Sequence, residues 1–432
     1  MTPDEPRTGA DPVALLSARS SRPARRLLVD TSLLREHRDF RLLWSGQAIT
    51  FFGSMITYVA VPYQVYALTH SSAVVGLLGL VEFVAMLSTA FLGGALADAV
   101  DRRRMVRITE GMLLLTAAGL LANSLLSHPS VAVIFVLAGL LTAFDALQRP
   151  SLDALLPRLV TKEQLVPAAA LGSLRMTVGM IAGPAAGGLL VSSAGLGATY
   201  AVDVATFAIS LIALGLMQAM PPPPDAERPS LRRVGEGLRY ARSRPELMGT
   251  YLVDINAMFF GMPNALFPAL AVGFGGASVL GLLYSAPAVG ALLASVTSGW
   301  VGRVHRHGQG VLWAAGLWGV AILGFGLADW LWLALLFLVL AGAADMISGV
   351  FRSTIWNTTI PDSLRGRLAG IELISYSTGP TLGNVEAGGL ATLTGPRFSV
   401  GFGGVMCVLG TLALAAALPA FRAYDSREHE AH

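Results

Sequence analysis

Residues 73–107 read AVVGLLGLVEFVAMLSTAFLGGALADAVDRRRMVR. The stretch 73–97 contains one charged side chain, Glu82. A bilayer core is crossed by about 20 mostly apolar helical residues, so this run is long enough to span one. It ends at Asp98 and Asp101, and Arg102, Arg103, Arg104 and Arg107 follow at once. An apolar run closed by clustered arginines reads as a membrane span that stops at a basic, untranslocated turn. Alternating barrel strands of about 10 residues do not fit so continuous a run.

The pattern recurs along the chain. Of 432 residues, 54% are apolar and only 13% charged, against about 25% charged in soluble domains. The mean hydropathy is +0.62. A soluble protein could not cover its surface with so few charges, so soluble enzyme folds are excluded and disorder is confined to the ends. Runs of span length fall near 43–69, 73–97, 105–127, 130–149, 167–191, 197–219, 246–271, 278–302, 310–328, 331–352, 367–391 and 399–420. The expected fold is all-α and integral to the membrane, with twelve transmembrane helices. The 48 glycines suit close helix packing. The single cysteine, Cys407, rules out an intramolecular disulfide and reads as a small residue packed inside a span.

Twelve spans place both termini on one side, and the basic residues choose the side. Twenty-eight of the 30 fall in the tails and the loops of that side, Arg175 lies within span 5, and only Arg397 lies opposite. This bias predicts cytoplasmic termini in the cell's inner (plasma) membrane. Residues 1–40 read as a disordered cytoplasmic tail, solvated or touching anionic lipid. Residues 41–220 form a first six-helix bundle and 246–420 a second, followed by a tail over 421–432. The linker 221–245 opens on Pro221–Pro224, a stiff spacer. Leu231, Val234, Leu238 and Ala241 then follow at helical spacing, an amphipathic helix on the membrane face. Gly94 and Gly299, Arg149 and Arg352, and Gly183-Pro184 and Gly379-Pro380 recur about 200 residues apart at corresponding spans. That repetition points to a duplicated unit with a site between its halves.

Two motifs carry a resemblance. The run from Gly94 to Arg104 resembles the loop signature of the major facilitator superfamily, G-x-L-A-D-R-x-G-R-K: Gly94, Leu96, Ala97, Asp98, Arg102 and Arg103 match, while Ala99 and Asp101 depart from it. Helix 5 carries Gly179-x3-Gly183-Pro184-x2-Gly187-Gly188, which looks like the antiporter signature of superfamily exporters. Glycines four apart share one helix face and let a neighbour approach, and Pro184 bends the helix. The resemblance covers most of 35–420, and its closest branch is the enterobactin-exporter and macrolide-efflux one. It implies two pseudo-symmetric six-helix bundles, a monomer, and a cytoplasmic latch. In that latch Asp98 caps span 11 and Arg102 or Arg103 reaches Asp153; the plain alternative is a topogenic basic loop.

Ionisable groups at membrane depth are default functional candidates. They are Glu82, Asp203, Asp254, Asp345 and Glu386, with Arg175 as the partner of one acid. Asp145 and Glu372 fall near inner ends and read as interfacial. A carboxyl in low dielectric favours its neutral form and an arginine beside it opposes that, so such a pair can switch protonation with conformation. Glu82, Asp254 and Glu386 are the foremost proton carriers. Spans 1, 4, 7 and 10 should line the cavity. They offer Tyr58, Gln64, Gln148, Asn256, Phe259, Phe260 and Asn264, a mixture of aromatics and amides suited to a bulky, partly apolar solute. No histidine lies within a span, and His305 and His307 read as a solvated loop. The only lysine, Lys162, follows Thr161, so no phosphate-cradling G-x4-G-K-[ST] loop exists. No cofactor, metal or nucleic acid is called for. The expected activity is proton-coupled export of a hydrophobic or amphipathic small molecule, siderophore- or drug-like. Uptake by the same fold and a non-transporting membrane sensor or scaffold are the alternatives.

Overall fold

The computed structural model describes residues 31–99, 101–218, 244–425 and 427, without the side chains of 90–99 and 362–376. None of them lies in a strand. Helix α1 is Arg38–Thr69, α2 Ser72–Ala99, α3 Arg102–Ser124 and α4 Val131–Leu159. Leu165–Gly215 runs for 51 residues. A straight helix of that length would measure about 77 Å, more than twice a bilayer core. It turns instead at Gly195, whose φ of 79° and ψ of 173° suit only glycine, giving α5 over 165–194 and α6 over 196–215. Then follow α7 (Pro245–Gly261), which breaks at Met262-Pro263 and resumes as Phe267–Phe274, and α8 (Ala277–Thr297). The last four are α9 (His307–Leu327), α10 (Leu331–Thr359), α11 (Asp362–Thr394) and α12 (Pro396–Ala417).

Among the described residues ten helices are long and apolar enough to cross a membrane, with Lys162–Gly215 taken as one of them. The reversal at Gly195 makes that one two, and α11 adds 33 residues more. Twelve crossings are thereby accommodated. Large apolar side chains point outward, among them Leu189, Ile212 and Leu412, as a lipid-facing surface requires.

Several boundaries differ from the hydropathy reading. Helices α4 and α10 run on to Leu159 and Thr359. Their extensions stay amphipathic, so Ser151, Leu155 and Ile355 are buried although the apolar run has ended. The stretch read as a tail includes a helical turn, Leu33–Glu36, and Leu33 and Phe40 pack on Leu43, Leu155 and Leu214. At the other end Phe421 is fully buried against Gly249. The amphipathic linker helix lies outside the described residues. Asp101, which departs from the loop signature, has a local function: its Oδ1 accepts from the Arg104 N–H at 2.8 Å and caps α3.

In the amino-terminal half α1 packs on α5 and α6, α2 on α4, and α3 on α4 and α6. In the other half α7 packs on α11 and α12, α8 on α10, and α9 on α10 and α12. The halves meet along two seams, α5 with α8 and α2 with α11.

Candidate functional site

Both seams are built from glycine. A Cβ on Gly188 would lie 2.6 Å from Ala277 O and 2.7 Å from Gly281 N, and Ser285 Oγ donates to Ile181 O at 2.7 Å. On the other seam a Cβ on Gly76 would lie 2.5 Å from Asn384 O, and one on Gly388 2.5 Å from Ser72 O. All of these contacts sit at the end of the bundle remote from the chain termini. Toward the termini the α5 and α8 stripes are exposed: Val178 and Leu174, one and two turns before Ile181 on α5, and Leu292 and Val296 on α8. Among the described residues the halves are therefore in close backbone contact at the far end, while the facing stripes of α5 and α8 are exposed at the termini end.

Under the far end lies a polar group drawn from both halves. Asn264, in the break of α7, donates through Nδ2 to Tyr58 OH at 3.3 Å. Tyr284 OH donates to Asn264 O at 3.1 Å, and the Tyr58 and Tyr284 rings stand edge-on at 5.1 Å. Asn384 Oδ1 accepts from Ala265 N at 2.9 Å. Glu82 on α2 acts electrostatically on both tyrosine hydroxyls. It forms no ion pair among the described residues.

The acids inside each half are held differently. In the amino-terminal half Asp203 accepts from Thr57 Oγ1 at 2.5 Å and from Thr206 Oγ1 at 3.3 Å. Glu110 on α3 accepts from Gln148 Nε2 at 2.6 Å. Both carboxyls are buried among neutral donors. In the other half Arg352 pairs with Asp254 and lies 3.5 Å from Asp345. Two carboxyls thus share one guanidinium, and with both ionised the triad carries one negative charge more than its cation balances.

Residues 32–432 match the family described as transmembrane secretion effectors. The enterobactin exporter EntS of Citrobacter koseri is 31% identical over 399 residues, covering 91% of this chain and 96% of its own. The exporter of the same name from Escherichia coli O1:K1 is 31% identical over 391 residues, covering 90% and 94%. The chain belongs to this major facilitator transporter family. Solved structures agree on the fold. A bacterial homologue of the iron transporter ferroportin in an inward-facing state has a TM-score of 0.68 at 16% identity, covering 89% of this chain and 98% of that one. A bacterial homologue of the human lysosomal transporter Spinster, inward-facing and unoccupied, has a TM-score of 0.67 at 16% identity, covering 89% and 95%. The protein is a multi-pass membrane transporter with a small-molecule substrate, not an enzyme.

The transporter's signature glycines face two ways. A Cβ on Gly179 or Gly183 would strike Phe51 or Met55, and one on Gly187 would lie 3.0 Å from Ile56 O, so this face receives α1. Gly188 and the carbonyl of Pro184 face α8. In the loop motif Arg102 Nη1 donates to Ala154 O at 3.0 Å, next to Asp153. Arg103 donates to Leu214 O at 3.1 Å and Gly215 O at 2.7 Å, capping α6. The surroundings of Gly94 and the side chains of Asp98 and Glu372 lie outside what is described. Arg175 acts on Asp153 and Arg149 near the termini end rather than on the deep acids. Asp145 pairs with Arg149 at 2.9 Å.

Three amides expected at the cavity are turned inward instead. Gln64 accepts from Tyr200 OH at 2.8 Å, Gln148 serves Glu110, and Asn256 donates to Cys407 O at 3.0 Å. Each satisfies a partner within its own half, because an unpaired amide at membrane depth is costly. Phe259 and Phe260 stack edge-on at 4.8 Å, with their carbonyls against Gly383 and Gly403. Glu386 falls between Asn384 and Gly388, on the face of α11 opposite the α2 seam. His307, read as a loop residue, is buried beside Phe351 and Tyr424. The two residues that sequence reading passed over are Glu110 and Arg352. Arg352 reads with the basic loops because it ends an apolar run. Glu110 follows Arg107 closely enough to read as interfacial, and its only signal was an acid within a span.

Proposed function

We propose that this transporter exports a small hydrophobic or amphipathic molecule, siderophore- or drug-like, by proton antiport with alternating access. Glu82 is the observation that carries the reading. It stands at membrane depth beside the space between the halves, within electrostatic reach of two tyrosine hydroxyls, and no cation pairs with it among the described residues. An ionised carboxyl in that position is costly unless it is paired. A proton gained and lost as access alternates removes that cost, and a cationic or hydrogen-bonding substrate can take the proton's place. The triad of Asp254, Arg352 and Asp345 supplies a second switch, since one proton balances its surplus charge.

Export rather than uptake is supported by the relatives, which are enterobactin exporters, and by the glycine pattern of α5. The arginine bias supports cytoplasmic termini in the plasma membrane. The end at which α5 and α8 are exposed then faces the cytoplasm, as the loading state of an exporter requires. The protein acts as a monomer, each half supplying one wall of the pathway.

Cells supplied with iron-free enterobactin test the reading. Cells that express the protein should accumulate several-fold less of it than cells that do not. A protonophore, or Glu82→Gln, should abolish the difference. Equal accumulation with enterobactin and a drug panel would overturn export, and higher accumulation in expressing cells would mean uptake.

A further inference from the structure

Glu110 lies in the interior of the amino-terminal half, away from the space between the halves. It is 1% exposed, and the side chains around it are equally enclosed: Gln47 of α1 at 9%, Gln148 of α4 at 3% and Ser210 of α6 at 0%. Four helices therefore converge on one carboxyl. Its Oε2 accepts from Gln148 Nε2 at 2.6 Å. The orientation of that amide is set, because the same nitrogen also approaches Val106 O at 3.4 Å, a second acceptor. Gln47 and Ser210 both reach this carboxyl, but Glu110 Oε1, Gln47 Nε2 and Ser210 Oγ are buried without meeting one another in full hydrogen-bond geometry. Buried polar atoms are seldom left so, and three at one point ask for something that completes them.

Charge decides what that is. The titratable groups that act on Glu110 are Asp145 from α4 and Asp203 from α6, both acids. Arg149 is held on Asp145, and no cationic side chain meets Glu110 among the described residues. Gln47, Gln148 and Ser210 meet this carboxyl as neutral donors only, so nothing of opposite charge balances an ionised Glu110 among the described residues. A metal ion fits poorly, because Gln148 presents an N–H, which repels a cation. Among the described residues no group of three or more His, Cys, Asp and Glu side chains is placed to hold a metal. A proton fits: on Oε1 it gives the carboxyl a donor, and Ser210 Oγ is free to accept it.

We propose that Glu110 is a proton-binding site of the amino-terminal half, sensed by α1, α4 and α6 through Gln47, Gln148 and Ser210. Loading forms one O–H bond at Oε1 with a proton taken from water, and unloading returns that proton to water. Because Gln47 rides on α1 and Ser210 on α6, occupancy alters how α1 seats on the rest of its half. The site's part in transport rests on the proton-antiport reading; its occupancy does not.

The purified full-length protein in lipid nanodiscs provides the test, by infrared difference spectroscopy from mildly acidic to mildly basic pH. The carbonyl stretch of a protonated carboxyl should titrate in the parent, and one component should be lost in Glu110→Gln, which keeps the size of the side chain. Gln47→Leu should retain that component with a displaced midpoint, a readout that a merely structural role would not move. A spectrum unchanged in Glu110→Gln, or a component that follows sodium rather than pH, would overturn the proposal. Failure of the parent to couple transport to a proton gradient would sink antiport while leaving this band in place.

Discussion

Arg352→Met is expected to destabilise the protein by about 3–5 kcal/mol, the usual effect of removing one partner from a buried ion pair. Arg352 is 9% exposed and pairs with Asp254, itself 7% exposed, while Asp345 completes the triad at 3.5 Å. Without the guanidinium, Asp254 keeps a charge that nothing balances, in an environment that solvates it poorly. Methionine replaces the volume but not the charge. Arg352→Met combined with Asp254→Asn and Asp345→Asn should recover most of the loss, because an uncharged set of similar shape is tolerated far better than a broken one. Thermal unfolding in detergent, followed by tryptophan fluorescence, reads both. A single variant as stable as the parent would show that the triad does not hold α7 to α10.

Gly188→Val should leave a folded protein that does not transport. The glycine packs against the other half, with its would-be Cβ 2.6 Å from Ala277 O and 2.8 Å from Gly281 Cα. These are backbone atoms, so they cannot turn aside as a side chain could. Valine there wedges α5 off α8 and prevents closure of the far end, while the contacts of α5 with α1 use the other glycines. Transport should fall to the level of empty vesicles at near-parental expression. Gly389→Ala on α11 is the control, since a Cβ there meets nothing within 4 Å. Gly188→Val with parental transport would mean that the seam opens and closes without close backbone contact.

Much of this architecture can be read from apolar runs and arginine clusters, because a bilayer imposes span length and leaves few alternatives. The glycines of α5 are legible for the same reason: four-residue spacing selects one helix face, and α1 occupies it. The site is less legible. A polar residue in a span declares that it needs a partner but not on which side of the helix the partner stands. Gln64, Gln148 and Asn256 therefore read as cavity residues, although Tyr200, Glu110 and Cys407 claim them. Arg352 was obscured by its position, since an arginine ending an apolar run looks topogenic whether it turns outward or back into the bundle. Tyr58 and Asn264 are legible as polar groups of spans 1 and 7, but their meeting across the halves depends on the break at Met262-Pro263. Hydropathy carries no trace of that break.

The most direct measurement uses proteoliposomes containing the purified protein and loaded with iron-free enterobactin, with acid added outside. Efflux should accelerate over the equal-pH control, and a trapped pH dye should report acidification inside as protons enter. Enterobactin leaving at the same rate with and without the acid step would contradict proton-driven export.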